Sequence, residues 1–184
     1  MPLGEDASLL SAIARDRDRR AFEGLYDRHH RLVYGLACRM LGDVGEAEDV
    51  VQRVFLRAWE RADTFDPSRG GAPAWLCVMT RSRCLDRLRQ RGRRREQPME
   101  QALLESLAHA APGDADPALG QALARALERL PSAQRAAVEA VYFKGLTQAE
   151  AAGALKLPLG TLKGRLRLAM DKLAQALGRG QSAS

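Results

Sequence analysis

The chain has 184 residues, with 29 Lys and Arg against 23 Asp and Glu for a net charge of +6, a size that excludes a large catalytic barrel and a balance that points to a polyanionic partner. The charge falls in blocks: residues 1 to 80 carry a net −2, 81 to 95 +7, 96 to 128 −5 and 129 to 184 +6, as expected of two nucleic-acid-facing units separated by a segment that faces it differently. Cys38, Cys77 and Cys84 make neither a disulfide framework nor a Cys-x-x-Cys knuckle, and no run approaches 18 uncharged apolar residues, so a cytoplasmic protein without secretion signal or membrane span is expected.

Sparse β-branched residues and abundant Ala, Leu and Arg predict an all-α chain. From Ala21 to Leu41, Phe22, Leu25, Val33, Leu36 and Met40 recur at steps of three and four, which predicts one long amphipathic helix. After a turn at Gly42 to Gly45, a second series, Ala47, Val50, Val51, Val54 and Ala58, runs to about Ala62. Asp63 to Ala72 joins Asp-Pro to Gly-Gly and reads as an ordered loop. A third helix is expected from Pro73 to about Arg91, with Trp75 and Leu76 near its start and Arg81, Arg83, Arg87 and Arg89 on its charged face.

Residues 96 to 117 change to Ala, Glu, Gly, Asp and Pro, a composition that buries too little to order itself. They read as a flexible acidic linker, within which Met99 to His109 suits a helix formed on a partner. Beyond it, Leu119, Leu123, Leu127 and Leu130 stand at helical spacing. Pro131 breaks the series, which resumes through Val138, Val141 and Tyr142 to Gly145. Thr147-Gln-Ala-Glu150 has the form of a capping box opening a short helix to about Leu155. Pro158 suits the first position of a last helix, Leu159 to about Leu177, with Leu162, Leu166, Met170 and Leu173 inward. A short helix, a tight turn and a longer basic helix make a helix-turn-helix. The expected architecture is two small helical domains, 1–95 and 118–184, joined by the linker 96–117.

The second helix of such a motif enters the major groove, so its outer positions should be small or hydrogen-bonding and flanked by cations. Gly160, Thr161, Lys163, Gly164, Arg165 and Arg167 fit, and the free amides near Pro158 favour phosphate. The bland reading is a helical hairpin with a basic face. In the first unit, Phe65 and Trp75 flank the Gly-rich loop ahead of the Arg face, an arrangement suited to unpaired bases, although each aromatic alone reads equally as core. Eight Arg in residues 81 to 95 repel one another without an anionic partner. No Gly-rich phosphate loop, His-Glu-x-x-His or nucleophile elbow is present, so no enzyme, cofactor or metal is expected. His29 and His30 point apart on one helix, and Cys77 and Cys84 share a face with Leu88 as small buried hydrophobes.

Taken in order, these segments resemble the bacterial RNA polymerase sigma factors of the extracytoplasmic-function group. Ala21-Phe-Glu-Gly-Leu-Tyr-Asp27 and Val33-Tyr-Gly-Leu36 look like the family's opening helix, and Glu48-Asp-Val-Val-Gln52 with Phe55-Leu-Arg-Ala-Trp59 like its polymerase-binding helix. Phe65-Asp-Pro-Ser-Arg-Gly70 and Ala74-Trp-Leu76 look like the −10 promoter segment. Leu130-Pro131, Gln134-Arg135, Tyr142, Gly145-Leu-Thr147, Glu150 and Pro158-x-Gly-Thr-x-Lys163-x-Arg165 resemble the −35 reader. The chain departs from the family at Arg53, where an acid is usual, and at Gly164, where Ser is common.

The resemblance implies a non-catalytic initiation subunit that confers promoter choice on core RNA polymerase, held in check by an anti-sigma partner. Asp49, Gln52, Arg53 and Leu56 would dock on the polymerase clamp. Phe65, Asp66, Ser68, Arg69 and Trp75 would serve the −10 element, with Arg81, Arg83 and Arg87 along the DNA backbone. Thr147, Gln148, Pro158, Gly160, Thr161, Lys163, Gly164, Arg165 and Arg167 would serve the −35 element, and the acidic linker would thread the polymerase channels. The rival expectation is a self-sufficient helix-turn-helix repressor or activator that binds a palindrome alone. A third is a scaffold or antagonist that never touches DNA.

Overall fold

Each of the first helices starts or stops where a particular residue satisfies the backbone. Helix α1 (Glu5–Asp16) ends at Arg17, whose backbone is left-handed at φ 51°. Helix α2 (Arg19–Leu41) starts on Asp18, whose carboxylate accepts from the amides of Arg20 and Ala21, and ends at Gly42. Helix α3 (Val44–Glu60) starts on Asp43, which accepts from the Glu46 amide at 2.9 Å. These caps supply acceptors for amides that a helix start leaves unpaired. A single 3-10 turn at Ala62–Thr64 leads through the loop into α4 (Ala72–Arg95). The C-terminal half holds α5 (Pro117–Glu128), α6 (Ser132–Val138) running into a π-helical turn at Glu139–Phe143, α7 (Gln148–Ala154) and α8 (Leu159–Gly178).

This is a computed structural model, describing residues 4–95 and 117–178, with side chains in 4–92 and 121–178. Every regular element among the described residues is helical, as composition predicted. The expected linker, including Met99 to His109, lies outside the described residues except for Pro117, which opens α5 instead of closing a linker. Two features differ from expectation: helix α1 was not foreseen, and α4 reaches to Arg95. Helix α8 starts at Leu159 as expected, with Pro158 just ahead of it, its carbonyl accepting from the Leu162 amide at 3.1 Å. The helix expected to run to Gly145 widens instead into the π turn, which buries Val141, Tyr142 and Phe143 in succession; a regular helix would turn one of three consecutive residues outward.

The two halves share one core. Leu76, Cys77, Cys84 and Leu88 of α4 and Leu32, Leu36 and Met40 of α2 lie in the same buried cluster as Leu123 and Leu127 of α5 and Leu162, Leu166, Met170 and Leu173 of α8. Helix α8 packs on both α2 and α4, and α5 on α2. At Gly35 an added Cβ would meet Leu123 at 3.3 to 3.4 Å, so the missing side chain is what lets α5 come this close to α2. A smaller cluster, Leu10, Ile13, Ala21, Leu25, Ala62 and Ala72, fastens α1 to α2 and the loop.

Candidate nucleic-acid interface

The helix-turn-helix is closed by two local devices. The Thr147 amide donates to Glu150 Oε2 at 2.7 Å and the Glu150 amide to Thr147 Oγ1 at 3.2 Å, completing the expected capping box. The Thr147 hydrogen bonds hold the Glu150 carboxyl below the usual range. At the other end of α7 the Lys156 amide donates to the Gly153 carbonyl and the Leu157 amide to the Ala152 carbonyl. Lys156 is left-handed at φ 52°. That pair of bonds is a Schellman motif, and it aims the chain into α8. Helix α8 then buries Leu162, Leu166, Met170 and Leu173, which leaves Gly160, Thr161, Lys163 and Arg167 exposed and Gly164 and Arg165 half-buried. No carboxylate lies within 4.0 Å of Lys163, Arg165 or Arg167 among the described residues.

In the first half, Asp66 shapes the loop: its Oδ1 accepts from the Ser68 amide at 2.9 Å and the Ser68 hydroxyl at 2.7 Å, and the Arg69 amide donates to the Asp66 carbonyl at 3.1 Å. Pro67 follows Asp66, as suits the second position of such a turn. Those Ser68 hydrogen bonds hold the Asp66 carboxyl below its ordinary value. Phe65 and Trp75 are both partly buried and meet edge to face at 5.5 Å and 63°, so they serve as core and as an aromatic wall at once. Arg69 is exposed on the turn.

The Arg face of α4 is less free than its composition suggests. Arg81 donates from Nε to the Val141 carbonyl at 2.8 Å and from one terminal nitrogen to the carbonyls of Gly145 and Leu146 at 3.1 and 2.9 Å. Burial pulls its pKa down from the usual guanidinium value. Arg87 pairs with Asp49 of α3 at 2.8 Å, Arg89 with Asp86 at 3.1 Å, and Arg91 with Glu46 at 2.9 Å. Arg83 is exposed with no such partner among the described residues.

On α3, Gln52, Arg53 and Leu56 share the outward face, and Leu56 is 56% exposed. Tyr26, not singled out from the sequence, is 38% exposed, stacks on His30 at 5.0 Å and leans on Phe55 of α3 at 4.7 Å. Its signal was an aromatic next to the buried Leu25 and four residues on from the partly buried Phe22. His29, which the sequence left without a role, is 3% exposed and donates from Nε2 to Asp6 Oδ2 at 3.0 Å, tying α2 to α1. Burial opposes ionisation of Asp6, yet the His29 hydrogen bond and charge, with Arg28, hold its carboxyl below the usual range.

With this geometry in place, the comparisons decide the family. Sigma-70 region 2 matches residues 25–94 and Sigma-70, region 4 matches residues 120–173. The ECF RNA polymerase sigma factor RpoE of Cereibacter sphaeroides is 37% identical over 91% of this chain and 92% of that protein. The chain belongs to the ECF sigma factors. SigK of Mycobacterium tuberculosis, another ECF sigma factor, is 33% identical over 95% of both chains. The crystal structure of Rhodobacter sphaeroides SigE in complex with the anti-sigma ChrR is 32% identical, with a TM-score of 0.54 over 94% of this chain and 97% of that one. An ECF sigma factor directs promoter-specific initiation, and relatives matched along nearly their whole length favour that role over the self-sufficient repressor or activator.

Proposed function

We propose that the chain binds core RNA polymerase through the outward face of α3, with Asp49, Gln52, Arg53 and Leu56 on the clamp, and reads a two-part promoter with two separate units. The unit spanning 1–95 reads the −10 element: the Asp66 turn and the Phe65–Trp75 wall receive an extruded base, and Arg69, Arg83 and the α4 arginines follow the backbone. The unit spanning 118–184 reads the −35 element, with Gly160, Thr161, Lys163, Gly164 and Arg165 at base edges and Arg167 and the α8 start toward phosphates, while Thr147, Gln148 and Pro158 set the helix in the groove. The segment 96–117 is the acidic connector that threads the polymerase channels. The chain carries out no chemistry of its own, works in the cytoplasm, and is restrained by an anti-sigma partner, as SigE is found with ChrR.

The observation that carries this reading is the trio Lys163, Arg165 and Arg167 on the second helix of a capped helix-turn-helix, two of them exposed and one half-buried, none in an ion pair within 4.0 Å among the described residues. Cations without carboxylate partners await an external anion, and their position at the start of a groove-entering helix makes that anion DNA. Run-off transcription with purified core polymerase on a mixed promoter library tests it. Discrete transcripts sharing two spaced elements are expected, and Lys163→Ala should weaken the −35-dependent ones by about 1–3 kcal/mol of discrimination, roughly 5- to 150-fold. A palindromic footprint by the protein alone, with no transcripts, would overturn the reading.

A further inference from the structure

Helix α8 buries Leu162, Leu166 and Leu173 along one side, and residues four apart on the opposite side, Gly160, Gly164 and Leu168, fall in one line along the helix. Thr161, Arg165 and Lys172 flank that line on one side, Lys163 and Arg167 on the other. The centre of the outward face therefore carries no charge: two positions of bare backbone, then a leucine that is 47% exposed. The packing of the chain asks for neither glycine. A Cβ added at Gly160 or Gly164 meets nothing within 4 Å, and neither residue has the left-handed backbone found at Gly42 and Gly145. Glycine is the poorest helix former after proline, and where the fold does not need it, it serves the close approach of something from outside. A lone exposed leucine is ordinary on a protein surface; one in line with two such glycines on a groove-entering helix is not.

We infer that Leu168 is a specificity-determining residue of the −35 reader: it contacts the C5-methyl group of a thymine, and Gly160 and Gly164 let α8 sink far enough into the groove for it to do so. The inference rests on the promoter-reading role above and adds to it a residue and a base. Among the base edges of the major groove thymine alone presents a methyl group, and an apolar side chain with no hydrogen-bonding atom can recognise nothing else there. The reach is sufficient. From Gly160 to Leu168 the helix rises about 12 Å at 1.5 Å per residue, which matches a groove about 12 Å wide, so a helix laid in close along its glycine line still has Leu168 among the bases. The cations on both flanks supply affinity that every sequence shares. The leucine adds a preference that charge cannot, for thymine over cytosine and over uracil.

The test uses the full chain bound to core polymerase and a promoter whose −35 element run-off transcription has located. Each thymine of that element, on either strand, is replaced in turn by deoxyuridine, which removes the methyl group and keeps the base pair, and affinity is read by competition against the unmodified promoter. One thymine should prove sensitive, its replacement weakening binding about fourfold, the worth of one buried methyl group. Leu168→Ala should weaken the unmodified promoter by a similar factor and be indifferent to uracil at that position. As Leu168 is exposed, the substitution leaves the core intact. Gly164→Ala should raise the urea midpoint, alanine being the better helix former, and yet weaken the same DNA about threefold or more; greater stability with unchanged binding would overturn the close approach. An element without thymine, or uracil tolerated at every position, overturns the methyl contact. So does a Leu168→Ala loss that is equal on the thymine and uracil promoters, which would place Leu168 against polymerase instead. If the wild-type chain yields no two-element transcripts at all, the functional reading fails first, an outcome distinct from transcripts that ignore the methyl group.

Discussion

Lys156 sits in the turn of the helix-turn-helix with a left-handed backbone, φ 52°, a conformation that costs a side-chain-bearing residue roughly 1–2 kcal/mol. The two amide bonds of the Schellman motif hold it there. Lys156→Gly relieves the strain but adds freedom to the unfolded chain worth about 0.4–1 kcal/mol, so a net gain of about 0.5 kcal/mol is expected in urea unfolding at unchanged slope. Thr147→Ala goes the other way: it strips the hydroxyl that the Glu150 amide donates to and should cost about 1 kcal/mol. Equal midpoints for the two variants would contradict both arguments. The capping box was legible in the sequence because it is a local pattern of four residues. The left-handed Lys was not, since lysine carries no preference for that region and the backbone bonds that hold the angle leave no mark in side-chain composition.

Between elements, α2 and α5 meet closely where Gly35 leaves Leu123 at contact distance. Leu123 is 1% exposed, so Leu123→Ala should cost about 3 kcal/mol through lost burial and a cavity. Gly35→Val, forced into Leu123, should cost about 2 kcal/mol by overpacking. In the double variant the valine enters the space the leucine leaves, so the two costs should sum to less than additivity in a urea double-mutant cycle; strict additivity would mean the helices do not press on each other here. Helices α2, α3, α4 and α8 were legible from apolar spacing, since each is long and buries one stripe. Helix α1 was missed although Leu9, Leu10 and Ile13 lie at helical spacing, because its N-cap Gly4 offers no side-chain cap to mark the start, and the polar contacts of Arg28 and His29 to Asp6 that help hold it come from α2. Leu123 and Leu127 stood at helical spacing and are buried, but the sequence pattern assigns no partner, and the helix they lie on packs against α2.

For the molecule as a whole, the candidate site was legible residue by residue and illegible as an arrangement. Arg81 stood in a run of arginines that read as a phosphate-facing row, yet its partners are carbonyls 60 to 65 residues further along, and backbone acceptors leave no mark in side-chain composition. The buried core also holds a set of ionisable groups. Burial pushes the Cys84 thiol up to about 12, pushes Cys77 higher still, and raises the Tyr142 hydroxyl, with Cys77 adding to the rise and Arg81 opposing it. All three are raised in the folded state, so the unfolded chain releases its protons first as the pH climbs. Stability is therefore fully present below the unfolded thiol pKa of about 8.5 and is lost above it, each buried thiol contributing about 2 kcal/mol of loss by pH 10. Urea midpoints should be flat from pH 7 to 8 and fall steeply toward pH 10, and Cys84→Ala should flatten the fall while lowering the neutral-pH midpoint only modestly. A midpoint that held steady to pH 10 would mean that the thiols and Tyr142 reach water in the folded chain, and for Cys77 and Tyr142, each beside groups of the other half, that the two halves do not share a closed core in solution.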